Sequence, residues 1–355
     1  MSNQARYDAG ATDREDPVDM KVYTINGERY RLTNTLTSFK LEMQVHLVNW
    51  KWAHVTREPR IFRGFPNDAL LPEAIVNQYP MLYPPILPAF KRHKQNYPFL
   101  FHPFFNHVAS SQAANVNLFL PVLLHPKADR VFSSIKPDFS HLAREYLDNG
   151  FRIEFWDEPY NNLGDKRATS GTDSDIGIAY YNHEDELCLW LIEHKLTERE
   201  FTTCGGSKSR GRRAIHDCSK SFSEILTDKQ VCYYHSANHY NYWNITEDNQ
   251  DFFVNHDQYK HCPFVGGMNQ LWRNQLLGLS IEQDERQPYQ HVTFSVVKHP
   301  RNTALNKTLE EYQNLTGNNS KFSVFTSADV IKAAAGLDDT NLNHWIDWYQ
   351  DLYAL

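Results

Sequence analysis

The sequence predicts a mixed α/β fold whose core runs helix, strand, strand, strand, helix, strand over residues 139–297. Three observations carry this reading. Two β-rich apolar runs, Asp173 to Tyr181 and Leu187 to Lys195, flank the polar stretch Asn182-His-Glu-Asp-Glu186 and read as a hairpin. Phe151-Arg-Ile-Glu-Phe-Trp156 before it and His291-Val-Thr-Phe-Ser-Val-Val297 after it read as strands. Two helices complete the order: Ser140 to Asn149, closed by Gly150, and Met268 to Gly278, with Met268, Leu271, Trp272 and Leu276 on or near one face.

The other elements follow in order. Residues 1–20 are polar and acidic, with no apolar core for a signal peptide, and read as a disordered tail. Residues 21–35 read as a short hairpin around Asn26-Gly27. Residues 36–60 give a helix, with Phe39, Leu41, Val45, Leu47 and Trp50 as its apolar stripe. Residues 61–105 are rich in Pro and aromatics, too apolar for a flexible linker, and read as an irregular packed segment. Asn106 to Leu120 reads as a helix ended near Pro121. Beyond the core come a helix at 304–314, a strand at Lys321 to Thr326 and helices near 327–336 and 341–354. The strand–helix–strand order implies a right-handed crossover that extends the sheet. The chain thus divides into the tail, a helical and irregular region over 21–138, and a domain over 139–355 with an insertion at about 198–264.

Composition bounds the partners. At 355 residues the chain can bury a large core, and 14% aromatics argues against wholesale disorder. A net charge of −7 means that nucleic acid would have to meet a local basic patch. No apolar run approaches the ~20 residues that span a bilayer. The expected location is cytoplasmic, where five cysteines stay reduced and point to metal binding or chance, not disulfides.

The chemistry concentrates at one end of the hairpin. With the turn centred on Glu184, Asp175 lies opposite Glu193, and Glu193 and Lys195 share a face. Opposed side chains have Cβ atoms about 4.5–5.5 Å apart, so two carboxylates and an amine converge. Like charges that close cost stability, and a hard divalent cation with oxygen ligands would relieve the cost. This pattern resembles the core of the PD-(D/E)xK nucleases, with Asp175 as the motif Asp and Glu193-His194-Lys195 as its second half. The Pro of the motif is absent, Ser174 stands in its place, and Asp173 is a rival for Asp175. The element order matches the αβββαβ core of that superfamily. Ser110-Ser111-Gln112 resembles an element of its bacterial restriction-endonuclease-like members, which places Gln112 beside the active site or nucleic acid.

The resemblance implies Mg²⁺-dependent (or Mn²⁺-dependent) hydrolysis of DNA, in restriction, defence or DNA processing, with RNA not excluded as the substrate. Asp175 and Glu193, with the His194 carbonyl, would bind the metal, and Lys195 would orient or deprotonate the attacking water. Family members often add a carboxylate from the first core helix; Glu145 fits that place, with Asp148 as a rival. Gln270 and Arg273 fall where relatives carry polar residues that touch the active site or DNA. A homodimer is compatible with all of this.

The insertion holds Cys204, Cys218, Cys232 and Cys262 without any C-x-x-C pair. Four cysteines could ligate one Zn²⁺ or one [4Fe–4S] cluster. Some PD-(D/E)xK nucleases carry an Fe–S cluster on four cysteines, usually with one well upstream. Here no cysteine precedes Cys188, which keeps zinc open, and Cys188 itself reads as core. The stretch Lys208-Ser-Arg210-Gly-Arg212-Arg213 is the best phosphate-binding candidate in an acidic chain. Two other classes stand beside the nuclease: a non-catalytic nucleic-acid-binding protein on a nuclease fold with a structural metal centre, and an unrelated zinc hydrolase. The intact Asp, Glu and Lys argue against the first, and the lack of an H-E-x-x-H argues against the second.

Overall fold

Asn26 and Gly27 both take left-handed backbone angles, φ 50° and 83°, the geometry a two-residue hairpin turn demands. They join β1 (Met20–Ile25) to β2 (Glu28–Thr33) as the sequence predicts. The computed structural model describes residues 20–165, 171–209 and 216–355; the expected tail therefore lies almost wholly outside the described residues.

Helix α1 (Ser38–His54) buries Met43, Leu47, Val48 and Trp50. The segment read as irregular holds more order than its Pro content implied. It contains a second hairpin, β3 (Arg60–Phe62) and β4 (Phe65–Asn67), then α2 (Glu73–Val76) and α3 (Leu87–Asn96). Pro in the first turn of α3 costs no hydrogen bond, because those N–H groups have no intrahelical partner.

Helix α4 (Ser111–Leu123) starts later and ends later than expected. Ser110 caps it by accepting from the Ala113 N–H, and Pro121 lies inside its last turns. Proline frees the carbonyl four residues back. Here the Trp345 indole donates to that Asn117 carbonyl at 2.8 Å, so the helix survives its proline through a tertiary bond. After α5 (Ala128–Ser133) comes a correction. The predicted helix at 140–149 is a strand, β5 (Phe139–Leu142), followed by turns in which Leu147, Asn149 and Gly150 have positive φ.

Strands β6 (Phe151–Phe155), β7 (Ser174–Asn182) and β8 (Leu187–Lys195) follow. Short helices occupy the insertion: α6 (Phe222–Thr227), α7 (Tyr233–Ser236) and α8 (Tyr242–Asp248). Then come α9 (Met268–Glu282), β9 (His291–Lys298), α10 (Asn306–Leu315), β10 (Phe322–Thr326), α11 (Ser327–Ala335) and α12 (Thr340–Tyr353). The main sheet runs β10-β9-β8-β7-β5, with β6 also paired to β7. Strand β7 pairs antiparallel with its neighbours, whereas β8, β9 and β10 run parallel. The fold is a mixed α/β arrangement around one mixed sheet.

Two apolar layers sandwich this sheet, and strand alternation assigns them. Ile176, Ile178, Tyr180, Trp190 and Ile192 face α4, α5, α11 and α12. Ala179, Leu189, Leu191, Val292, Phe294 and Val296 face α9, α10 and the insertion. Strand β8 is buried along its whole length, as its unbroken apolar run implied. The insertion orders itself through rings: Phe222, Trp243, Phe253 and Phe264 pack together, and Phe264 stacks on Trp272 of α9 with centroids 4.2 Å apart.

Candidate active site

The hairpin register is the expected one. Ile176 pairs with Ile192 and Tyr181 with Leu187, so one step further Asp175 lies opposite Glu193. The His194 N–H donates to Asp175 Oδ2 at 2.6 Å, locking the two strand ends together. Asn115 of α4 donates to the Asp175 carbonyl at 3.0 Å and ties this end to the opposite layer.

Glu193 and Lys195 sit on one face of β8, two residues apart. Lys195 Nζ lies 2.8 Å from Glu193 Oε1, with side chains 10% and 7% exposed. Helix α9 supplies the remaining partners. Gln270 donates to Glu193 Oε1 at 2.7 Å and Asn274 to Oε2 at 2.9 Å. Residues four apart share a helix face, so a single turn of α9 holds both carboxylate oxygens. Burial works to lower the Lys195 pKa, but Glu193, Glu198 and Asp175 together raise it above the ordinary lysine value. Lys195 is therefore a fixed cation at neutral pH. His194, between Glu193 and Lys195, points to the other face; burial lowers its pKa to about 4, so its ring is neutral. The ring still lies within electrostatic reach of Glu198 and Lys195.

A further carboxylate, absent from the sequence-based set, joins the group. Glu154 lies on β6, beside β7, in the left-handed region at φ 52°. That angle breaks the strand alternation: Ile153 belongs to one apolar layer and Phe155, two residues on, to the other. Gly177 makes the switch possible, because a Cβ there would stand 2.8 Å from Phe155 Cδ2. Burial first, then the Asp173 and Asp175 charges, push the Glu154 carboxyl well above the usual range, against a hydrogen bond from Gln112. Asp175 is likewise raised, by burial and by Glu193, despite Lys195 and the His194 N–H. Period-2 patterning put Glu154 on a strand, but its left-handed angle has no sequence signal outside Gly and Asn.

The charge of Glu198 also acts on Lys195. Burial acts to raise the pKa of Glu198, but Lys195 and a hydrogen bond with Ser111 bring it below the usual value, so it stays ionised. Gln112, expected near the site, is there. Its Oε1 accepts from the His102 N–H at 3.0 Å, its Nε2 donates to the Leu100 carbonyl at 3.2 Å, and it reaches Glu154.

Other expected residues lie elsewhere. Glu145 accepts from Tyr181 at 2.7 Å on the exposed surface. Tyr181 is at the turn end of β7, about 20 Å from Asp175 at ~3.3 Å per residue. Its removal from the site follows from the missing helix at 140–149. The rival Asp148 is taken by His93 at 2.6 Å. Arg273 is enclosed: its Nε donates to Thr172 and Tyr242 at 3.0 Å each, and its guanidinium lies 3.7 Å from Asp165. It braces the start of β7 against α8, with its side chain 13% exposed. Lys208 donates to Thr203 at 2.9 Å, while Arg210, Arg212 and Arg213 lie outside the described residues.

Among the described residues, no group of three or more His, Cys, Asp or Glu forms a ready-made metal cage. The four insertion cysteines lie within electrostatic reach of one another without forming such a group. Cys262 N–H donates to the Cys218 carbonyl at 3.2 Å. The Cys262 thiol is raised by burial and further by Cys232, Cys218 and Cys204, and the Cys218 thiol is pushed up to about 11 by burial, Cys204 and Cys232. Cys188 is buried in β8, in the core as expected.

A mixed sheet that delivers two opposed carboxylates and a lysine to one hairpin end, with a helix holding one carboxylate, defines a carboxylate–lysine centre on an α/β fold. The family model described as "Restriction Endonuclease associating with ARP" matches residues 77–354, well over half of the chain, and the protein belongs to that family. No curated protein and no solved structure matches the chain. No helix among the described residues is long and apolar enough to cross a membrane.

Replacing both Gln270 and Asn274 with Ala frees Glu193 to rotate and leaves its oxygens partly unpaired. Hydrogen bonds to a charged group contribute about 1.5–3 kcal/mol each, so the doubly substituted protein should melt measurably below the wild type. Thermal melting should show a smaller loss than for removal of Glu193 or Lys195 themselves.

Proposed function

We propose that the protein is a divalent-metal-dependent nuclease that hydrolyses DNA phosphodiesters, in restriction or defence, through a PD-(D/E)xK-type site made of Asp175, Glu193 and Lys195. The observation that carries this reading is the opposition of Asp175 and Glu193 with Lys195 at 2.8 Å, in a chain of a restriction endonuclease family. The donor set fits Mg²⁺, which is held by one or two carboxylates plus water and substrate phosphate, not by an all-protein cage. The raised Asp175 and Glu154 carboxyls mark unrelieved negative charge, which a divalent cation would offset. Asp175 and Glu193, with the His194 carbonyl, would hold the ion. When bound, it would polarise the phosphoryl oxygen and make water acidic enough to attack.

The chain's own residues do the rest. Gln270 and Asn274 fix Glu193. Lys195, held protonated, offsets charge that develops on the phosphate; a lysine in this state is a cation first and not a general base. Glu154 takes the place that the sequence assigned to Glu145. The family's description names an associate, ARP, and a partner of that kind belongs to the same proposal. Titration calorimetry tests the metal site: Mg²⁺ or Mn²⁺ should bind the wild-type protein and fail to bind Asp175→Asn, and equal binding to both would sink the assignment.

Cys204, Cys218, Cys232 and Cys262 are proposed to hold a structural Zn²⁺ or [4Fe–4S] centre. Four thiolates leave no open position for substrate. Lys208, Arg210, Arg212 and Arg213 of the same insertion are our candidates for phosphate contact. Protein prepared without oxygen should contain stoichiometric iron or zinc. Cys262→Ser should lose it with a modest fall in melting temperature, and Cys188→Ser should keep it. Elemental analysis that finds neither metal removes the centre.

A further inference from the structure

Next to the carboxylate–lysine group lies a cleft of about 270 Å³, lined among others by Lys40, Gln44, His102, Phe104, Gln112 and Glu198. Two of these residues belong to the site already described: Gln112 reaches Glu154, and Glu198 interacts with Lys195. Whatever enters the cleft therefore meets Glu198, the carboxylate whose charge acts on Lys195. The opposite wall, with Lys40 and Gln44, comes from α1, before the residues that match the family.

One loop forms the rim. Gln112 straps it at two points, the Leu100 carbonyl and the His102 N–H, which fixes its backbone against α4. The same loop leaves Leu100 56% and Phe104 43% exposed, two of the few large apolar side chains that the described residues show to solvent. Of the two, Phe104 lines the cleft, and an aromatic ring partly exposed there offers its face to a ligand. The Phe104 ring lies 5.6 Å from that of His102, tilted by 41°. Burial, with Lys40 and Lys51, lowers the pKa of His107 in the same wall to about 4, so this imidazole is neutral.

We propose that this cleft is a nucleobase pocket, which receives one unstacked base of the substrate strand next to the phosphate presented to Lys195. It rests on the nuclease reading above. A planar base offers a π-face to Phe104, and stacking on an aromatic side chain tolerates every base. Its edge meets the Gln44 amide, and the backbone phosphate on that side meets Lys40. The volume lies below the ~300–1,000 Å³ of drug-sized sites, which suits one base and excludes a stacked pair. Taking a base out of the stack costs a few kcal/mol, least at a mismatch or in a single strand. The pocket therefore favours substrates with an unpaired nucleotide at the cut.

The test uses full-length Lys195→Ala protein, so that the strand stays intact, with Mg²⁺ and oligonucleotides carrying 2-aminopurine at successive positions around the cut mapped for the wild type. Fluorescence should rise at one position adjacent to that cut, as the base leaves its stack. Adding Phe104→Ala should remove the rise and weaken binding about tenfold, whereas Phe104→Trp should keep both. Cleavage by the wild type and binding by Lys195→Ala, with flat fluorescence at every position, would overturn the pocket alone. The same holds if Phe104→Ala leaves the rise unchanged. A wild type that neither binds nor cuts any nucleic acid would overturn the nuclease reading and the pocket with it.

Discussion

Lys195→Ala will lower nucleic-acid cleavage by at least about 10²–10³-fold, the usual loss when a preorganised charge facing the transition state is removed. Three carboxylates, Glu193, Glu198 and Asp175, surround this ammonium. Deleting it also leaves them without their nearest counter-charge. Breaking a buried pair by removing one partner costs about 3–5 kcal/mol, so the metal-free variant should melt well below the wild type. Mg²⁺ should restore part of that loss, because a second cation takes over the neutralising role. Lys195→Arg separates the two effects. It keeps the charge and much of the stability, but its planar fork cannot place a point charge where the lysine did, and activity should stay low. Initial rates and thermal melts on the same preparations give both numbers. A Lys195→Ala protein that cuts at the wild-type rate contradicts the assigned role.

Glu154→Gln should make the metal-free protein more stable at pH 8, by about 1–3 kcal/mol, while it weakens Mg²⁺ binding. The sign follows from the raised carboxyls. Burial and neighbouring negative charge push the Glu154 and Asp175 pKa values above those of the unfolded chain. Between the ordinary carboxylate range near ~4 and the raised values, the folded chain binds more protons than the unfolded one. Stability of the metal-free wild type therefore falls as pH rises through that window, and stability at lower pH within it is higher. A neutral amide at 154 removes one of the repelling charges and should flatten the slope. Melting curves from pH 5 to 8, with and without Mg²⁺, check this. Should Glu154→Gln melt lower than the wild type at pH 8 and keep the full slope, Glu154 is not part of the charged group.

Much of this was legible in the chain. With the turn taken to centre on Glu184, the two-residue period sets Asp175 against Glu193, and the observed register is that one. Helix α9 followed from apolar spacing, while the expectation that Gln270 lies near the site came from the resemblance; in the structure it donates to Glu193. Residues 140–149 show the limit: a helix-compatible stretch became β5 and a run of left-handed turns because the edge of β7 was there to pair with. Tertiary pairing overrode local preference, and with the helix went Glu145. Glu154 was hidden by a backbone angle that its residue type rarely takes. Arg273 carried the right charge at the right spacing, but its partners Asp165, Thr172 and Tyr242 come from distant segments that no spacing rule joins.

The most direct measurement is cleavage of supercoiled plasmid and of single-stranded DNA by purified wild-type protein with Mg²⁺, with EDTA, and by Asp175→Asn with Mg²⁺. The predicted result is nicking or digestion of at least one substrate by the wild type with Mg²⁺, and none in the other two conditions. Undiminished cleavage by Asp175→Asn or in EDTA, or no cleavage by the wild type of either substrate with Mg²⁺ or Mn²⁺, would contradict a metal-dependent DNA nuclease built on Asp175, Glu193 and Lys195.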